Sequence, residues 1–113
     1  MNKRKIGAEY EKIVCDALDR RGVTVVETNY RNRFGEIDII AKDGEYLCFI
    51  EVKYRSGTGC GDPAEAVDLR KQRTIRKVAD GYLFERNIGE WTSCRFDVAA
   101  VMDGQIRWVK NAF

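Results

Sequence analysis

The chain has 113 residues, of which 34% are charged and one is proline, and twenty bases against eighteen acids leave a net charge of +2. That length suits one domain over residues 1–113 with a single core, and the composition excludes a disordered or fibrous chain. No apolar run approaches the roughly 18 residues of a membrane helix, and residues 1–5 lead into an amphipathic segment rather than a signal peptide, so a cytoplasmic protein with no membrane partner is expected.

From about Arg4 to Arg21, Ile6, Tyr10, Ile13, Val14, Ala17 and Leu18 recur at helical spacing and Gly22 is a natural stop. Glu9 and Glu11 flank this apolar stripe on opposite sides, so periodicity leaves open which of them approaches the rest of the fold. Val23 to Tyr30 is β-branched and alternating, a first strand. Asp43-Gly44 then predicts a two-residue hairpin turn joining two further strands that run through Tyr54. The stretch from Arg55 to Asp62 is glycine-rich without the spacing of a phosphate loop and reads as a connector or a cover for what precedes it. Asp62-Pro63-Ala64-Glu65 is a helix start, with helix to about Arg86 and Asp68 as a point of interruption. Val67, Ile75, Val78, Ala79, Tyr82 and Leu83 form its apolar side, while Arg70, Lys71, Arg73, Arg76 and Lys77 carry five positive charges with no acid between Leu69 and Ala79. Phosphate backbone would relieve their mutual repulsion, and a solvated helix face is the competing reading. Trp91 to Met102 reads as a fourth strand, Asp103-Gly104 as a turn and Gln105 to Lys110 as a fifth strand. Asp97 is expected to hold Arg95 or Arg31 structurally.

The chemistry concentrates in Gly35 to Ile40 and Phe49 to Lys53. Counting back from an Asp43-Gly44 turn sets Lys42 opposite Glu45, Ile40 opposite Leu47, Asp38 opposite Phe49 and Glu36 opposite Glu51. Asp38, Glu51 and Lys53 then share one face, with Asp38 and Glu51 as diagonal neighbours roughly 7–8 Å apart. Ile37, Ile39, Ile40, Phe49, Ile50 and Val52 make both strands apolar on both faces, as in a sheet covered on each side, where charges are seldom buried unless paired or bound to metal. Two carboxylates, with the Val52 carbonyl between Glu51 and Lys53, are hard oxygen donors of the kind Mg²⁺ or Mn²⁺ takes, and Lys53 beside them could orient a nucleophile or stabilise charge on a phosphate. An edge hairpin with solvated charges is the competing reading. The absence of histidine removes serine and cysteine triads and histidine metal sites. Cys15, Cys48, Cys60 and Cys94 are scattered, which favours reduced, space-filling thiols over zinc.

The aspartate followed by Glu-x-Lys resembles the PD-(D/E)xK signature of the restriction-endonuclease-like superfamily, with Ile37-Asp38 in place of Pro-Asp. The chain as a whole resembles the YraN-like family of uncharacterised bacterial proteins, predicted nucleases related to archaeal Holliday junction resolvases. The matching segments are Gly7 with Glu11 and Leu18, Arg21-Gly22, Asn29-Tyr30-Arg31, Gly35 to Ala41, Phe49 to Arg55, Pro63 to Val67, Lys71, Ala79, Tyr82-Leu83 and Arg95 to Val98. The resemblance implies an α/β fold with a restriction-endonuclease-like core: a mixed five-stranded sheet, an antiparallel meander then a crossover helix, with helices on both faces. It selects Glu11 over Glu9 as a further carboxylate at the site, and it includes Lys71.

Overall charge does not mark the chain as a nucleic-acid binder, but its distribution does. Arg31, Arg33 and Arg55 flank the ends of the hairpin, Lys71 and Gln72 open the second helix near it, and Arg73, Arg76 and Lys77 follow. Few aromatic residues suited to base stacking lie outside the expected core, so sequence readout should be weak. The expected function is a metal-dependent endonuclease acting on branched or structured DNA, and the analogy with junction resolvases, which cut two symmetric strands, implies a homodimer. The alternatives are a nucleic-acid-binding module with a vestigial nuclease fold and, more weakly, a purely structural interaction domain.

Overall fold

The computed structural model describes residues 3–55, 67–89 and 92–113. Helix α1 (Lys3–Arg20) is followed by strands β1 (Thr24–Asn32), β2 (Gly35–Asp43) and β3 (Tyr46–Arg55), helix α2 (Leu69–Glu85), and strands β4 (Cys94–Met102) and β5 (Gln105–Val109). The sheet order is β1-β2-β3-β4-β5. Both β1–β2 and β2–β3 are antiparallel, β3–β4 is parallel, and β4–β5 is antiparallel. A parallel neighbour requires a crossover, and α2 supplies it. The architecture is thus the mixed five-stranded α/β sheet with a helix on each face that the family resemblance implied.

Two cores follow from this layering. On the α2 side Ile37, Ile40, Phe49 and Val98 pack with Ile75, Val78, Ala79 and Tyr82. On the α1 side Ile39, Ala41, Cys48, Ile50, Ala99 and Val101 pack with Val14 and Leu18. The expected apolar stripe of α1 is therefore correct in its centre, but Ile13 is exposed at 42%. Helix α2 begins at Leu69, with Asp68 as its N-cap accepting from the Lys71 amide. Asp68 has extended backbone, so no helix runs through it; Val67 packs in the core from a non-helical position. The proposed helix start at Asp62, the glycine-rich connector, Cys60 and Trp91 lie outside the described residues. Among the described residues no helix is long and apolar enough to cross a membrane.

The β2–β3 register differs from the count made on Asp43-Gly44. Asp43 pairs with Tyr46, Lys42 with Leu47, Ala41 with Cys48, Ile40 with Phe49 and Ile39 with Ile50. The central turn residues are Gly44 and Glu45, shifting the register by two. Gly44 has φ 60°, as the first central position of a type II′ turn needs, so the turn requires positive φ only where glycine stands. Because the shift is even, it leaves the face of each β3 residue unchanged.

Asp97 and Arg95, both buried, close the far end of the sheet. The Asp97 carboxylate accepts from Arg95 Nε at 2.9 Å, Trp108 Nε1 at 2.9 Å and the Asn111 amide at 2.8 Å, while Arg95 also reaches Asp43 at 2.9 Å. Asp97 is structural, as expected, and Arg95 is the partner; Arg31 pairs elsewhere.

Candidate metal centre and nucleic-acid interface

Regular pairing of β2 with β3 ends at Ile39 opposite Ile50, whereas β3 stays paired with β4 as far as Arg55 opposite Met102. The two strands fork beyond that point, and Asp38 sits in the fork. Its Oδ2 accepts a 2.8 Å hydrogen bond from the Val52 amide, taking the place of a ladder partner. Alternation along β2 also breaks here, since Ile37 packs in the α2-side core and Ile39 in the α1-side core. Asn29, which continuation of the β1–β2 ladder would set opposite Asp38, has φ 53°, a left-handed conformation asparagine tolerates better than most residues.

Glu51 projects from β3 toward α2 and its side chain is only 8% exposed. Its Oε1 lies 3.5 Å from Lys53 Nζ and 3.9 Å from Lys71 Nζ. The fold therefore brings Asp38, Glu51, Lys53 and Lys71 to one place. Desolvation raises the pKa of Asp38, the Val52 amide opposing it, with Glu36 raising it further and Lys71 and Lys53 lowering it. Glu51 is likewise raised first by desolvation and then by Asp38, against Lys71 and both the charge and hydrogen bond of Lys53. Two neighbouring acids, both raised by desolvation and one raised further by the other, form a site whose negative charge a cation would stabilise.

Glu11 stands on the α1 side of the same fork, half-buried, while Glu9 is exposed. Its pKa is raised by desolvation, opposed by a hydrogen bond with Asn29, and raised further by Asp38 and Glu36. Glu11, Asn29, Arg31 and Glu36 line a cavity of about 400 Å³ against Gly7 and Ala8. Arg31 is committed to Glu36 at 2.8 Å across the β1–β2 pair. Glu36 is thus not opposite Glu51, as the turn count had it; the break in alternation at Asp38 carries it to the α1 side. Asn29 and Glu36 also line this cavity; both fall in segments that carry the family resemblance, but their sequence context assigns neither a role at the site.

Asp38, Glu51 and the Val52 carbonyl are hard oxygen donors, and two carboxylates with a carbonyl suit an ion that keeps several waters. Among the described residues there is no group of three or more His, Cys, Asp or Glu side chains able to share an ion.

The basic residues do not act as one surface. At 100° per residue, Arg73 and Lys77 lie with Arg70 on the side of α2 opposite its buried Ile75, Val78, Ala79 and Tyr82, pointing away from the sheet and the fork. Arg76 lies over Phe96, 4.5 Å from the ring centroid. Gln72, expected to reach a phosphate, donates to the Val67 carbonyl at 2.9 Å and so ties down the entry to α2. Arg33 sits at the β1–β2 turn over Phe34, at 4.7 Å. The Arg55 side chain lies outside those described. Of the expected DNA contacts in α2, only Lys71 faces the carboxylates.

The relatives of this chain share nearly its full length. It is 43% identical over 113 residues to a UPF0102 protein of Lachnoclostridium phytofermentans, covering 100% of this chain and 96% of the relative. It is 52% identical over 97 residues to one of Chlorobaculum tepidum, covering 86% and 74%, and 40% identical over 114 residues to one of Serratia proteamaculans, covering 100% and 97%. The model of uncharacterised protein family UPF0102 matches residues 10–101, a span that holds Glu11, Asp38, Glu51, Lys53 and Lys71, and the chain belongs to that family, the YraN family.

Proposed function

We propose that this protein is a metal-dependent DNA endonuclease of the PD-(D/E)xK type, acting on branched or otherwise structured DNA. The observation that carries this reading is the fork itself: two desolvated carboxylates, Asp38 and Glu51, converge with two lysines at the point where the strands part. A binder of phosphate gains nothing from carboxylates facing it, whereas a hydrolase needs them to hold a cation. Asp38, Glu51 and the Val52 carbonyl would hold Mg²⁺ or Mn²⁺. Bound there, the ion would polarise a phosphate oxygen and lower the pKa of a coordinated water.

The chain's own residues supply the rest. The Val52 amide fixes the Asp38 carboxylate in the gap. Lys53, on the same face as Glu51, orients the attacking water and stabilises charge on the phosphate. Lys71 neutralises Glu51 in the free protein and is near enough to meet a phosphate oxygen when substrate arrives.

The test is incubation of purified protein with flap, four-way junction, single-stranded and blunt duplex DNA in Mg²⁺ or Mn²⁺, beside an Asp38→Ala control. Cleavage of at least one branched substrate, lost in the control and in chelator, supports the reading. Tight binding without cleavage in either metal would favour a vestigial nuclease fold that serves as a binding module, and neither binding nor cleavage would overturn both.

A further inference from the structure

Tyr54 follows Lys53 on β3, and alternation sends the two side chains to opposite sides of the sheet, Lys53 toward α2 and Tyr54 toward α1. Tyr10 of α1 stacks on the Tyr54 ring, with centroids 4.4 Å apart and planes 17° from parallel. Tyr54 nonetheless remains 50% exposed. One face of the ring is held still by an aromatic neighbour while the rest of it meets solvent. Burial does not account for a large ring in this position, since Tyr10 packs at the margin of the α1-side core and Tyr54 stands outside it.

The location is informative. Tyr54 is three residues from Glu51, about 10 Å along an extended strand. It lies on the stretch of β3 beyond the last β2 pair, where among the described residues no strand bonds to the β2-side edge. A strand of nucleic acid crossing the fork with one phosphate at Asp38 and Glu51 would bring the adjoining nucleotide toward Tyr54. Aromatic faces bind unpaired bases of any sequence by stacking, and a ring already stacked on a second ring loses little freedom in doing so. A base inside a duplex offers no free face.

We infer that Tyr54, backed by Tyr10, is a stacking platform for an unpaired base next to the phosphodiester held at the carboxylates, so that the site selects DNA with a single-stranded segment. This deepens the nuclease reading and rests on it. Tyr54 gives the fork a base-binding surface where the sequence alone pointed only to contacts with the phosphate backbone.

The inference is tested by binding, in Ca²⁺, of single-stranded, tailed-duplex and blunt-duplex DNA carrying 2-aminopurine at successive positions, with wild type, Tyr54→Phe and Tyr54→Leu. Wild type should quench 2-aminopurine at one position of the single-stranded and tailed probes. Tyr54→Phe should keep the quench, whereas Tyr54→Leu should lose it and bind those two probes about tenfold more weakly, with blunt duplex unchanged. If wild type shows no position-specific quench, or if Tyr54→Leu weakens all three probes alike or none of them, the stacking platform is overturned; the wild-type arm decides this even if Tyr54→Leu folds poorly. Failure of wild type to bind any probe overturns the nuclease reading as well, so the two failures are distinguishable.

Discussion

The Val52 amide donates to Asp38 Oδ2 at 2.8 Å, across the point where β2 and β3 cease to pair. In an extended strand a residue's N–H and C=O point to the same side, so the Val52 carbonyl is directed to the gap that its amide reaches. One peptide unit thus fixes one carboxylate and offers an oxygen beside it. The relationship depends on the fork: had the ladder continued in register, the Ile37 backbone would pair with Val52 there and the Asp38 side chain would be free to turn away.

Metal binding should require both carboxylates of the fork. Mn²⁺ titrated into wild type by calorimetry should give a saturable heat that Asp38→Asn and Glu51→Gln each abolish or weaken by an order of magnitude or more. Equal heats for wild type and Asp38→Asn would place the ion elsewhere.

Stability of the metal-free protein should carry a pH signature of the same pair. Desolvation raises the pKa of Asp38 and Glu51 in the native state. An acid with a raised native pKa binds more protons folded than unfolded, so its contribution to stability falls as pH rises from the ordinary carboxylate range through the raised value. Glu51→Gln removes that penalty. Its melting temperature should therefore exceed that of wild type by more at pH 7.5 than at pH 4.5, and saturating Mn²⁺ should stabilise wild type but not the variant. A difference in melting temperature that does not vary with pH would contradict the shared desolvation of the pair.

Glu11 and Glu9 should separate cleanly. Glu11 is half-buried, with Asp38 and Glu36 close enough to raise it, and Glu9 is exposed. Glu11→Gln should raise the melting temperature of the metal-free protein, weaken Mn²⁺ binding and slow cleavage, while Glu9→Gln leaves all three near wild type. Identical behaviour of the two variants in melting and calorimetry would show that neither acid serves the fork.

The basic residues of α2 should divide by direction. Lys71→Ala should depress cleavage, because Lys71 approaches Glu51. Replacing Arg70, Arg73 and Lys77 together should leave the cleavage rate at saturating DNA near wild type. If their outward face also touches the backbone of a long duplex, the log–log salt slope will flatten by up to about 0.9 per lost contact. A fall in the saturated rate as large as that of Lys71→Ala would mean that the outward face reaches the fork after all.

Removing the buried pair at the opposite end should affect folding alone. Asp97→Ala leaves Arg95, which is 9% exposed, without its main partner. Breaking a buried pair from one side costs about 3–5 kcal/mol. Denaturant melts should show a loss of that order, and Mn²⁺ affinity measured where the variant is still folded should match wild type.

Much of this molecule is legible in the chain because it rests on short-range rules. Helical spacing from Tyr10 to Leu18 and from Ile75 to Leu83 dictates two amphipathic helices, and apolar runs such as Ile37 to Ala41 and Phe49 to Val52 dictate strands buried on both faces. The crossover by α2 was implied by the family resemblance rather than by the order of the elements, and the parallel pairing of β3 with β4 bears it out. The residues Asp38, Glu51 and Lys53 could be grouped from alternation, and that grouping survived a register error of two because side-chain direction repeats every two residues. What the sequence could not decide was where the strands stop pairing. That depends on the left-handed turn of Asn29, the break in alternation at Asp38 and the capture of its carboxylate by Val52, none of which has a periodic signature. Tertiary packing likewise chose which charges of α2 look at the fork, sending Lys71 to Glu51, Arg76 to Phe96 and Arg73 and Lys77 to solvent. Helical periodicity separates these charges by direction, but only the sheet that the helix lies on decides which partner each one meets.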